Sequence, residues 1–216
     1  MAAPDIKLVA FDMEGVLTDD PTVWEIMHGK IGTWESHGEP YWDRYRAGEF
    51  DYDTFARMDV AAWSGASAAE LLEAAGEVVL MPGCAELMAA LSDAGVRVAV
   101  ISNGLLCVAD RFRREFGVQH IHANRAETAD GTLTGEIDIR VPYESKGEVL
   151  RSLARELGLG RGEIAAVGDS TSDTEMFREA AVGVAFCSSH PSVEAAATHV
   201  VAERDLLPLL DVLGAV

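Results

Sequence analysis

Apolar residues fall along this chain in two regimes. In the first, short β-branched or small-residue runs alternate with stretches whose apolar positions recur every three or four residues. The runs at 6–11, 96–101, 120–123, 164–167, 182–186 and 199–201 predict strands. The stretches at 84–94, 105–116, 145–157 and 174–180, and one at the C-terminus, predict helices, three of them closed by Gly95, Gly117 and Gly158. Residues 130–135 predict a turn between two short antiparallel strands. Strands alternating with helices of ten to fifteen residues imply an α/β fold, a doubly wound parallel sheet.

The second regime covers residues 19–80. It holds all four tryptophans and three of the four tyrosines. Helical spacing links Trp42, Tyr45 and Arg46, and again Phe55, Met58, Asp59 and Ala62. Asp51 or Asp53 is a candidate N-cap, and Ser67 followed by Glu70 is a capping-box pair. The chain therefore divides into a core of residues 1–18 and 81–216 and a small helical cap, 19–80, inserted after the first strand. The aromatics of the insert either build its interior or line a pocket for a sugar ring or an aromatic phosphate.

Composition narrows the partners. Hydrophobic residues make up 49% and charged residues 25%, ordinary for a globular protein, but the net charge is −19. That charge argues against nucleic acid and anionic membranes and favours cations. Cys84, Cys107 and Cys187 are odd in number and lack metal-ligand spacing, which predicts reduced thiols. The absence of a basic, then apolar, leader and of a long apolar run leads to the expectation of a cytoplasmic location.

Three predicted strands end in polar residues: Asp12-Met13-Glu14-Gly15, Ser102-Asn103-Gly104 and Gly168-Asp169-Ser170. Each alone is also a good turn or helix cap. In a parallel sheet their ends share one edge, where such folds bind ligands. The order Asp12-x-Glu14, Ser102, Lys146, then Gly168-Asp169-Ser170-Thr171-Ser172-Asp173 resembles the four motifs of the haloacid dehalogenase (HAD) superfamily, and more narrowly its phosphoserine phosphatase branch. Phe186-Cys187, Ala123-Asn124-Arg125 and Ser145-Lys146-Gly147 are similar to that branch as well.

The resemblance implies a Rossmann-like core and a phosphomonoester hydrolase that acts on a small phosphorylated metabolite through an aspartyl-phosphate. Asp12 would be the nucleophile and Glu14 the general acid and base. The Ser102 hydroxyl and the Asn103 backbone N–H would hold phosphoryl oxygens, and Lys146 would supply positive charge. Mg²⁺ would be held by Asp12, the Glu14 backbone carbonyl and Asp169, with Asp173 as a further acid ordering bound water or the lysine.

Two departures qualify the resemblance. The second carboxylate of the first motif is usually aspartate, and Glu14 is one methylene longer. In the cap, Asp59 stands where the branch places a carboxylate-binding arginine, and Pro21 where it places a glutamate. Exchanging attraction for repulsion at about 4 Å, with an effective dielectric near 20, is a swing of several kcal/mol. Phosphoserine is therefore disfavoured unless Arg57 makes the contact, and an altered substrate pocket is expected.

The same motifs are compatible with a phosphotransferase that delivers the phosphoryl group to an alcohol such as homoserine. A receiver-type signalling module also uses a phospho-accepting aspartate, Mg²⁺ and a lysine, but not the acid at Glu14 or the insert. Reading Gly168-Asp169-Ser170 as a serine-esterase element leaves the other motifs unexplained. His120-x-His122 lacks a third ligand for a metal.

Overall fold

The computed structural model describes residues 5–214. A seven-stranded sheet runs in the order β4-β3-β2-β1-β5-β6-β7. The strands are β1 (Leu8–Phe11), β2 (Arg97–Leu105), β3 (His120–Ala129), β4 (Thr132–Asp138), β5 (Ile164–Gly168), β6 (Val182–Phe186) and β7 (His199–Val201). All neighbours pair in parallel except β3 and β4. The fold is thus the expected doubly wound α/β sheet. In β1 and its neighbours period-2 geometry sends alternate residues to opposite faces, both covered by helices.

The two faces differ in bulk. Val9, Phe11, Val100, Val167, Val184 and Phe186 pack on one side, with α5 (Cys84–Asp93), α6 (Leu106–Phe116) and α10 (Leu209–Leu213). Ala10, Ala99, Ala166 and Ala185 lie on the other, under α7 (Lys146–Leu157), α8 (Thr174–Glu179) and α9 (Pro191–Ala196). Ala10 stands in register with Ala99 and Ala166. This row of small side chains lets the helices sit close to the sheet. Gly147 extends the close packing, because a Cβ there would come within 2.7 Å of Glu175. The result is that α7 starts, with Lys146, deep in the molecule.

Two predicted boundaries move. The strand expected to end at 101 continues to Leu105, because the residues of β2 from Ile101 to Leu105 span only His122 to Asn124 on β3. The excess bulges out Ser102-Asn103-Gly104, a common device beside functional sites. The strand expected at 120–123 runs on to Ala129, since beyond the parallel sheet it pairs with β4 as a hairpin turning at Asp130-Gly131.

The insert consists of α1 (Val23–Ile31), a π-helical turn (Trp34–Gly38), α2 (Glu39–Arg46), α3 (Tyr52–Ala62) and α4 (Ala68–Glu77). Thr22 and Glu25 form a capping box on α1, Ser67 and Glu70 another on α4, and Asp51 caps α3 by accepting from Thr54 N–H at 2.8 Å. The insert is tied down twice. At its neck Asp19 N–H donates to Val79 and Met81 N–H to Leu17. On its far side Gly65, Leu133 and Ala68 N–H groups ladder it to the β3–β4 hairpin. Trp24, Val60, Trp63 and Ala74 join the same apolar cluster as the sheet face below.

Candidate active site

At the carboxyl end of β1 the chain breaks from the sheet as Asp12 turns its carboxylate back on itself, accepting from Met13 N–H at 2.7 Å. Gly15 follows at φ +81°, and a Cβ there would sit 2.6 Å from Asp169 Oδ2. Glycine is required on both counts: left-handed backbone and direct approach to a second carboxylate. The sequence marked this glycine only as a strand breaker.

Lys146 Nζ lies 2.9 Å from Asp12 Oδ1 and 2.7 Å from Asp173 Oδ1, all three groups being buried. Burial alone would lower the lysine pKa, but the charges of Asp12 and Asp173 more than reverse this and raise it, so it stays an ammonium. The second oxygen of Asp173 accepts from the N–H groups of Asp169 and Ser170 and from Ser170 Oγ at 2.9–3.1 Å. Gly168 makes room for it: a Cβ would come within 2.3 Å of the Asp173 side chain. Asp173 thus binds the lysine with one oxygen and its own loop with the other.

Asp12, Asp169 and Asp173 bring carboxylate oxygens within 4.8 Å of one another. Burial first, then the charges of Asp12 and Asp173, push the Asp169 pKa well above the usual carboxylate range. Burial raises Asp12 to about 6, Lys146 opposing and Asp173 adding to the shift. Glu14 rises to about 7 through burial and the Asp12 charge, with the Trp24 indole N–H, 3.4 Å away, opposing. Its Oε1 is shut off from solvent without a partner. Four carboxylates thus face one ammonium, and no backbone hydrogen bond among the described residues reaches the Glu14 carbonyl. An all-oxygen set with uncompensated negative charge is the donor chemistry of a hard divalent cation.

Ser102 Oγ accepts from Gly104 N–H at 3.0 Å, which leaves its O–H free to donate into the site. The Asn103 side chain donates to the Val141 and Pro142 carbonyls at 2.9 and 3.1 Å. Asn124, not singled out as a site residue, organises this corner. Its amide donates to the Asn103 carbonyl at 2.6 Å and accepts from the N–H groups of Arg140 and Val141. The signal in the sequence was the segment Ala123-Asn124-Arg125, directly after the strand expected at 120–123.

A cavity of about 140 Å³ over these groups is lined by Asp12, Glu14, Ser102, Asn103, Lys146 and Asp169 together with Trp42, Tyr45, Tyr52 and Tyr143. It adjoins one of about 410 Å³ reaching into the insert, and the two share Glu14, Trp42, Tyr52 and Asp169. Arg57 lines neither. It is exposed on α3, so the structure does not bring it to the other site residues. The reason is helical phase: Phe55 and Asp59, four apart, take the inward face, and Arg57 lies between them on the outward one. Asp59 does reach the larger cavity, where its Oδ1 lies 3.3 Å from His28 Nε2. Glu25, a turn beyond Pro21, lines it too.

The aromatics of the insert divide between its interior and the wall of the larger cavity. Trp24 and Trp63 are buried with ring centroids 5.4 Å apart, while Trp24, Trp34, Trp42, Tyr52 and Phe55 form cavity wall. Cys84, Cys107 and Cys187 are unpaired thiols. No described helix is long and apolar enough to cross a membrane.

Residues 9–178 match the model of the haloacid dehalogenase-like hydrolase family. A phosphoserine phosphatase of Polaromonas sp. is 32% identical over 97% of this chain and 90% of its own. One of Methanocaldococcus jannaschii is 28% identical over 94% and 96%. A solved phospho-aspartyl intermediate analogue of phosphoserine phosphatase superposes with a TM-score of 0.85 at 26% identity, over 97% of this chain and 99% of that one.

Proposed function

This chain belongs to the haloacid dehalogenase-like hydrolase family and is a phosphatase of it, and from that premise we propose a Mg²⁺-dependent hydrolase of small phosphomonoesters, with Asp12 as nucleophile and a substrate pocket altered from that of phosphoserine phosphatases. The observation that carries the mechanism is the convergence of Asp12, Lys146, Asp173 and Asp169 under one cavity with a glycine gap at Gly15.

Asp12 Oδ attacks phosphorus, and the bond from phosphorus to the leaving oxygen breaks as the aspartyl-phosphate forms. Glu14, with a carboxyl pKa of about 7, protonates that oxygen. The resulting carboxylate then takes a proton from the water that attacks the phosphoryl group and frees Asp12. Ser102 O–H and the Asn103 backbone N–H support the phosphoryl oxygens, and Lys146 offsets the negative charge gathered around Asp12. Asp12, Asp169 and the Glu14 carbonyl would hold the cation, which supplies charge neutralisation for the phosphoryl group when bound. Asp173 keeps the lysine in place.

The altered pocket is supported by Asp59, Glu25 and the outward Arg57: no lysine or arginine lines the cavity that would receive the leaving group. Phosphate release from L-phosphoserine and from sugar, nucleotide and aryl phosphates, with Mg²⁺ or EDTA, tests the reading. It predicts metal-dependent turnover that vanishes in Asp12→Asn, with L-phosphoserine not the preferred substrate. Turnover in EDTA, or a strong preference for L-phosphoserine, contradicts it.

A further inference from the structure

The larger cavity identifies the chemistry of the leaving group, given the hydrolase reading above. We propose that the substrate is the phosphomonoester of a cationic alcohol, whose ammonium group sits in the aromatic cavity beside Glu14.

Because the two cavities share Glu14, Trp42, Tyr52 and Asp169, a substrate with phosphorus at Asp12 extends its alcohol into the larger one. Five rings form its wall: Trp24 from α1, Trp34 from the π-helical turn, Trp42 from α2, and Tyr52 and Phe55 from α3. Phe55 ties them together, its ring centroid 5.6–5.8 Å from those of Trp24, Trp42 and Tyr52. Trp34 is fixed by close packing, since a Cβ on Gly38 would fall 2.5 Å from its ring. Several rings around one space are the setting in which an ammonium group is attracted by aromatic faces.

The charged residues agree with the rings. Asp59, 1% exposed, lines this cavity, and its Oδ1 is paired from behind with the buried His28 Nε2 at 3.3 Å. One imidazole still leaves lone pairs of this buried carboxylate unused, and a cation in the cavity pairs with them. Glu25 and Asp20 add negative charge at the edge, and no lysine, arginine or histidine lines the space. A carboxylate on the leaving group would meet only rings and like charges. A neutral sugar would satisfy the rings but leave Asp59 as it is.

The test compares kcat/KM for phosphocholine, its uncharged isostere 3,3-dimethylbutyl phosphate, and L-phosphoserine, in Mg²⁺. Phosphocholine should exceed each of the others by about tenfold or more. Asp59→Asn and the exposed-site change Trp42→Leu should both shrink its advantage over the isostere. Choline alone should quench the tryptophan fluorescence saturably, a readout that requires no turnover. Equal rates for phosphocholine and its isostere, preference for L-phosphoserine, or no saturable quenching overturns the inference. Failure to hydrolyse even p-nitrophenyl phosphate, with choline still quenching, would instead contradict the hydrolase reading and leave the cavity assignment standing.

Discussion

Gly15 shows how closely a single residue is specified here. A methyl group at this position meets Asp169 Oδ2 at 2.6 Å and the backbone sits at φ +81°. Gly15→Ala should therefore cost stability by roughly 1–3 kcal/mol from strain alone. By pushing Asp169 aside it should also weaken Mg²⁺ activation, read as a higher Mg²⁺ concentration for half-maximal turnover. Glu14→Gln keeps the shape but cannot exchange protons. It should lower kcat by roughly 10²–10⁴-fold, while circular dichroism stays native. The sequence singled out Asp12, Glu14, Lys146 and Asp169 through their order, which resembles the motifs of the haloacid dehalogenase superfamily; periodicity located only the strand ends after which Asp12 and Asp169 stand. It marked the segment Ala123-Asn124-Arg125 but not the work of Asn124, which is to bind backbone groups distant in sequence, and it offered Arg57 without the helical phase that turns it outward.

At the scale of elements, the insert is held by its neck and by the β3–β4 hairpin, and α1, α3 and α4 begin at side-chain caps. Ser67→Ala removes the α4 N-cap and should cost about 1 kcal/mol. For a chain of this size that is a fall in Tm of about 2–4 °C, measurable by calorimetry. Such caps and the helix and strand alternation were readable because they depend on residues a few positions apart. The extension of β2 through Ser102-Asn103-Gly104 was not, because a bulge is set by the register of the neighbouring strand. The same holds for the row Ala10, Ala99 and Ala166, whose function as a close seat for α7 emerges only when β1, β2 and β5 lie side by side.

For the whole molecule, the concentration of carboxylates at one end of the sheet couples stability to pH and metal. Asp12 and Glu14 stand at about 6 and about 7 against ordinary values of 3.8 and 4.5. Their folded pKa values are raised, so between pH 4 and 7 the unfolded chain binds fewer protons than the folded one. Unfolding free energy contributed by these groups must then fall as pH rises through that window. In EDTA the Tm should decline from pH 5 to pH 8, and Mg²⁺ should restore more of it at pH 8 than at pH 5. A Tm that rises over this range in EDTA, or metal stabilisation that is larger at pH 5, would contradict this electrostatic account. The central claim, that phosphate passes through Asp12, is tested most directly by acid-quenching the enzyme during turnover of a ³²P-labelled phosphomonoester and mapping the label. The account predicts a hydroxylamine-labile label on the peptide containing Asp12, absent from Asp12→Asn; steady turnover with no covalent label, or a label that persists in Asp12→Asn, would contradict it.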